Sequence, residues 1–269
     1  MAQLSISKAW EETREVLASD GRLMASVALA LIALPTAIGE FAYPSAGQNP
    51  QSPAAVAVAL VVGIIGLVGQ LAIVRLAVGP SLTVGEAIGH GARRTLPYLG
   101  AVILLLLGLL ILALPFIAVM AALGMDFEPP IDTVPPSAWL LLLLFMIVAL
   151  AISVRLMLSS AAASIEKLGP VAILKRSWEL SSGHLWRLLG FLVLFIIAAI
   201  VVLGAVGIFA GLIGALAGGV ERFSVGALIT ALLTALASAA VTTVYIVMVT
   251  RIYVQLSGRG SASVPKSGK

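Results

Sequence analysis

Apolar runs and basic residues alternate along this chain in a pattern that few folds can satisfy. Six runs follow one another, and the lysines and arginines between them fall in every second connection. A hydrocarbon core about 30 Å thick needs about 20 helical residues to cross it. The runs Leu23–Phe41, Ala54–Val78, Leu99–Leu123, Ala138–Ser160, Leu188–Gly218 and Val225–Ile252 reach or approach that length. A segment surrounded by lipid must satisfy its backbone polar groups internally. The reading is therefore an all-α integral membrane protein with six transmembrane helices.

The basic residues give the orientation. Lys8, Arg14 and Arg22 precede the first run, and Arg75, Arg93 and Arg94 lie between the second and third. Arg155, Lys167, Lys175, Arg176 and Arg187 lie between the fourth and fifth, and Arg251, Arg259, Lys266 and Lys269 close the chain. Only Arg222 falls on the other side, whose first two connections carry Glu40, Asp126, Glu128 and Asp132 instead. Because basic residues are enriched in cytoplasmic connections, both termini are predicted to be cytoplasmic. A multi-pass protein of a bacterial cytoplasmic (inner) membrane is expected.

Composition narrows the function classes. The chain is 61% hydrophobic and 10% charged, where soluble domains carry about 45–50% and about 25%. Its net charge of +4 fits topology and contact with anionic lipid, so no nucleic-acid partner is expected. With no cysteine, disulfides, thiolate catalysis and cysteine-ligated metals are excluded. Residues 1–258 read as a single membrane domain and 259–269 as a disordered cytoplasmic tail. The segment Met1–Arg22, with Glu11, Glu12, Glu15 and Asp20, is too acidic for a cleavable signal, so the first span is expected to be a retained anchor.

Three pseudo-repeats are discernible. Arg75, Arg155 and Arg251 end the even-numbered spans, where a long side chain can bury its stem and snorkel its charge to the headgroups. Gly79-Pro80 and Gly169-Pro170 open segments in step: Ile88 corresponds to Trp178 and Leu96 to Trp186, each pair 90 residues apart. Before each odd span the pattern predicts an amphipathic cytoplasmic elbow helix. Ile6, Trp10, Thr13 and Leu17 form the first face, Val84, Ile88 and Ala92 the second, and Val171, Leu174 and Trp178 the third. Such helices are expected to lie in the headgroup layer, with ordinary cytoplasmic loop helices as the alternative.

Polar groups inside the spans are few. Thr230, Thr234, Ser238 and Thr242 recur every fourth residue and predict a helix-packing ridge, with a polar pathway as the alternative. Gly63, Gly66 and Gly69 stand beside Gln70 in the second span. The fifth run holds Gly204, Gly207, Gly211, Gly214, Gly218 and Gly219, and either tilts or breaks. No Asp, Glu, Lys or His lies in mid-span, which weighs against an ion-coupled transporter. No phosphate loop, zincin motif or nucleophile elbow occurs. His90 and His184 are not spaced as metal ligands, and Glu166 near Lys167 or Arg176 reads as a surface ion pair. No catalytic residue, metal or cofactor is predicted.

The stretch from Arg155 to Leu194 carries a resemblance. Glu166-Lys167-Leu168-Gly169-Pro170, then Ala172-Ile173-Leu174-Lys175-Arg176-Ser177-Trp178-Glu179-Leu180, then Gly183-His184-Leu185-Trp186-Arg187, resembles the membrane domain attached to some bacterial glycerophosphoryl diester phosphodiesterases. Stand-alone YciC-like inner-membrane proteins look similar. The resemblance implies a six-helix bundle. The catalytic barrel of the phosphodiesterases is absent, so no activity is carried over. Ser181-Ser182 stands where a basic residue is expected in many relatives.

The expectation is a non-enzymatic membrane protein that engages anionic lipid headgroups through Arg93, Arg94, Lys175, Arg176, Trp178, Trp186 and Arg187, with a role in envelope or lipid homeostasis. Two alternatives stand beside it: a transporter, or transporter subunit, for a lipid or small amphipath, and a membrane anchor for a separately encoded enzyme. Membrane lipids are the expected partners, with a protein partner or homo-oligomer also open.

Overall fold

An apolar run that must pair its own backbone groups has one local solution, and this chain uses it almost throughout. The computed structural model describes residues 4–42, 53–79, 83–124, 136–219, 221 and 223–258. Their elements are α1 (Ile6–Ala28), a π-helical turn (Leu29–Ala33), α2 (Leu34–Ala42), α3 (Pro53–Val78), α4 (Val84–Ala122), α5 (Pro136–Leu156), α6 (Ser159–Ile165), α7 (Pro170–Ser181), α8 (Leu185–Leu216) and α9 (Val225–Leu256). No strand occurs among the described residues. Residues 44–52 and 127–135, together with Pro80, Arg222 and the tail 259–269, lie outside them.

Six helices are long and apolar enough to cross a membrane. Each packs against the next in chain order, and α9 returns to α1, so the spans close into a ring; α9 also reaches α3. The Gln255 amide hydrogen-bonds the backbone at Ser5. The two ends of the described chain therefore meet at one end of the bundle, called the terminal end below.

The first two amphipathic segments are not separate elbows. The span from Ile6 to Ala42 is 37 residues long and that from Val84 to Ala122 is 39, so each helix extends about 55 Å or more at 1.5 Å per residue. Nothing between Leu17 and Leu23 breaks the first helix. Of the face Ile6, Trp10, Thr13 and Leu17, Thr13 is buried and Ile6 and Leu17 pack against the core, while Trp10 is 48% exposed; the Thr13 hydroxyl lies 3.5 Å from Met248 Sδ on α9. The second helix starts at a capping box, in which the Thr83 hydroxyl accepts from the Glu86 N–H and the Glu86 carboxylate accepts from the Thr83 N–H at 2.9 Å. Only the third segment, α7, is a distinct helix. Gly183, at φ 84°, takes the left-handed conformation that glycine adopts without steric cost, and the chain turns there into α8.

Two other boundaries differ from the sequence reading. The fourth span stops at Leu156 and resumes as the short α6. The fifth does not break: α8 is one helix of 32 residues, about 48 Å long at the helical rise, so it exceeds the thickness of a bilayer core. Its glycines are not hinge points. Gly204, Gly207 and Gly211 face open space, whereas a Cβ on Gly214 would lie 2.8 Å from the Gly226 carbonyl of α9.

The π turn has a local cause. Pro35 lacks an N–H and its ring crowds the carbonyl four residues back. The preceding turn widens, and the Leu34 N–H donates to Leu29, five residues earlier.

Candidate functional site

The polar chemistry of the described residues concentrates at the terminal end, around the loop that joins α6 to α7. Glu166 caps α6 in extended conformation, and its carbonyl accepts from Arg94 Nη2 of α4. Its carboxylate receives Arg176 Nε of α7 at 3.3 Å and the Tyr253 hydroxyl of α9 at 2.5 Å. One residue thus joins α4, α6, α7 and α9. The Glu166 side chain is 14% exposed and that of Arg176 33%, so this is a largely buried pair rather than the surface pair expected from sequence. Partial burial works against the Arg176 charge, but the Tyr253 hydrogen bond and the Glu166 carboxylate outweigh it and raise the pKa above the ordinary arginine value. Arg176 stays charged at any physiological pH.

Around that pair, donors close off the carbonyls that α6 leaves open. Arg94 Nε donates to Ala163 at 2.8 Å. His90 Nε2 lies 2.8 Å from the Ser164 carbonyl; a carbonyl can only accept, so this ring nitrogen carries the proton. The Ser164 hydroxyl donates to the Leu71 carbonyl of α3 at 3.0 Å. A second knot lies nearby, where the buried Tyr98 hydroxyl meets Ser159, Ser160 and Gln70. The lone mid-span amide is thereby held by Tyr98 of α4, which is itself held by α6.

The residues expected to meet headgroups divide into two sets. Arg94 and Arg176 point into the protein and are used as donors there. Arg93 and Lys175 are exposed, and Arg187 is exposed while donating from Nη1 to the Leu4 carbonyl at 3.2 Å. Trp186 is 80% exposed and Trp178 43%. Leu96, 90 residues before Trp186, is also strongly exposed.

The three span-end arginines also differ. The Arg155 guanidinium stacks 4.5 Å from the Trp178 ring centroid, a cation–π contact, and its carbonyl accepts from Ser177 at 2.8 Å. Arg251 is half-buried, attracted by Glu12 and Glu15 of α1, and its Nε is buried without a partner. It faces protein rather than simple headgroup space. Arg75 is half-buried at the end of α3.

The hydroxyl ridge is not the buried face of α9. That face is Gly226, Ala231, Ala235, Ala239 and Thr243, one position round the helix, while Thr230, Thr234, Ser238 and Thr242 are half-buried at its edge. Thr230 donates to Ala210 of α8 at 3.1 Å and lies 2.9 Å from Gly226 of its own helix. Thr234 bonds the Thr230 carbonyl on the same helix, so it makes no interhelical bond of the kind expected. Two apolar clefts flank the first span, and neither is lined by the ridge.

Sequence reasoning missed Tyr98, Ser159, Ser160, Ser164 and Tyr253. Their partners lie far away in sequence, Glu166 and Tyr253 being 87 residues apart, and no local pattern marks such pairs. Among the described residues, no group of three or more His, Asp or Glu could hold a metal ion.

Six long apolar helices in a ring, knit by a polar node at one end, define a multi-pass α-helical membrane protein. A family model for a domain of unknown function, DUF7847, matches residues 4–256, so the chain belongs to that family. No curated protein and no solved structure matches it.

Proposed function

We propose that this is a non-enzymatic protein of the bacterial cytoplasmic membrane, with both termini in the cytoplasm, whose terminal end engages anionic lipid headgroups in envelope or lipid homeostasis. The observation that carries this reading is the division among the basic residues. Arg94 and Arg176 are consumed by protein carbonyls and a carboxylate. Arg93 and Lys175 stand exposed, as do Trp186 and, beside the Arg155 guanidinium stacked on it, Trp178. Tryptophan is enriched at headgroup depth, and each basic residue near an anionic surface contributes about 1 kcal/mol.

Native mass spectrometry of the purified protein tests this. The wild type should retain acidic phospholipids in preference to zwitterionic ones. The Arg93→Gln, Lys175→Gln double variant should weaken that preference roughly tenfold or more, from two such contributions. An unchanged lipid profile would remove the reading. The orientation is checked by a cysteine placed at Ser182: it should resist a membrane-impermeant thiol reagent in intact cells, and labelling there would reverse the topology.

A further inference from the structure

We infer that the cleft between the first span and α9 holds one acyl chain of a phospholipid, and that Arg22 binds its phosphate. The cleft has a volume of about 440 Å³ and an almost wholly apolar lining. Its floor is Ser26, Ala30, Ala33 and Ala37, bordered by Leu29 and Leu34 of the same span, and Leu232 and Leu236 of α9 form the facing wall. Arg22, Ser26, Ala30, Ala33 and Ala37 follow one another at steps of four, four, three and four. They therefore share one face of the helix. Small side chains on that face leave a trough where larger ones would close the gap.

Three features point to this occupant. An apolar trough of this kind does not hold water, and within a bilayer the material available to fill it is an acyl chain. From Ser26 to Ala37 the floor runs about 16 Å at the helical rise, close to half of a core about 30 Å thick, the depth of one leaflet. At its terminal-end mouth stands the exposed Arg22, one helical turn before Ser26, with the next charge on that face, Glu15, two turns farther out. The Ser26 hydroxyl is turned back onto the Arg22 carbonyl at 3.0 Å, leaving the guanidinium to meet a phosphate. Asp20 is two positions earlier, and residues two apart do not face each other on a helix. A free phosphate would satisfy Arg22 but leave the trough empty, so the ligand is a phospholipid of the leaflet at the terminal end. The similar cleft between α2 and α3, about 430 Å³, lies farther along the span, where the next charged residue is the acidic Glu40 rather than a phosphate-binding arginine.

This site uses none of the residues in the surface reading above, so the two stand or fall separately. The test reconstitutes the full chain in nanodiscs of equal phosphatidylglycerol and phosphatidylcholine, then counts retained lipids by native mass spectrometry. Ala30 is exposed, so Ala30→Leu fills the trough without crowding the core and should lose one tightly held phospholipid per chain. Arg22→Gln should keep that lipid but reduce the preference for phosphatidylglycerol about fivefold, the effect of one interfacial basic residue. Ala198→Leu, on an exposed face of α8, should change nothing, and the Arg93, Lys175 double variant should leave the tightly held lipid in place. If Ala30→Leu does not fold, Leu236→Phe narrows the same trough from α9 and is judged by the same count. Retention of the wild-type lipid number in the filled variant, or equal loss in Ala198→Leu, would overturn the proposal.

Discussion

Glu166 gathers four helices at the terminal end, whereas the outer segments of α4 and α5 and the middle of α8 bury almost nothing. In α4 no residue is buried beyond Ala101, in α5 none between Ala138 and Val154, and in α8 none between Phe191 and Ala210. A soluble protein could not leave those leucines and isoleucines uncovered. In a bilayer they carry no penalty, since lipid tails are as apolar as the side chains and helices gain little by burying them against each other. What holds membrane helices together is close backbone approach and hydrogen bonding. Here those are concentrated at the Glu166 node, the Gly91 crossing of α3 and α4, and the Gly214–Gly226 crossing of α8 and α9. Other aromatic contacts, such as Phe116 against Phe145 at 5.3 Å, join the outer segments more loosely.

The largest effect should come from the node itself. Glu166→Ala leaves Arg176 and the Tyr253 hydroxyl without their acceptor. Losing one partner of a buried pair costs about 3–5 kcal/mol; with Arg176 a third exposed, about 2–4 kcal/mol is expected after solvent screening. Thermal unfolding in detergent measures it, and a loss below about 0.5 kcal/mol, the level of an exposed pair, would remove the node from the account.

A matched pair of glycines sharpens the contrast. At Gly91 an added Cβ would sit 2.5 Å from the Val68 carbonyl and 3.1 Å from the Ala72 nitrogen, backbone atoms that cannot step aside. Gly91→Ala should cost about 1–3 kcal/mol by overpacking. Gly108, on the outer segment of the same helix, faces open space, and Gly108→Ala should be neutral or stabilise by about 0.5–1 kcal/mol. Equal effects at the two sites would erase the distinction between the regions.

The smallest effect falls on the hydroxyls of α9. Thr230→Val should cost about 0.6 kcal/mol for its bond to α8. Thr234→Val should cost less, because its bond stays within one helix.

These predictions rest on features that were unequally legible. The six spans could be read directly, because crossing a bilayer demands a run of known length and composition. Gly183 before α8 and Thr83 with Glu86 at the start of α4 are local signals that the sequence reading did not use. The continuity of the first two amphipathic segments with their spans was harder to see, since amphipathicity describes a face and not where a helix ends. The α9 ridge shows a related limit: in lipid both faces of a helix are apolar, so hydropathy could not distinguish the alanine face that packs from the hydroxyl edge beside it. Of the node, only the Glu166–Arg176 pairing was legible, and it was read as a surface pair rather than a buried one. Glu166, Arg94 and Tyr253 come from three separate parts of the chain, and only their assembly reveals why Arg94 and Arg176 are unlike Arg93 and Lys175.

Distances between spin labels test the difference between the two regions most directly. One pair, at Ala92 and Ala172, reports on α4 and α7 beside the node; the other, at Leu114 and Phe209, reports on the outer segment of α4 and the middle of α8. All four positions are exposed, so the labels should not disturb packing. In nanodiscs, pulsed electron spin resonance should give a narrow distance distribution for the first pair and a distinctly broader one for the second. Glu166→Ala should broaden the first. Equal widths in the wild type, or a first pair indifferent to Glu166, would contradict the claim that the bundle is clamped at its terminal end.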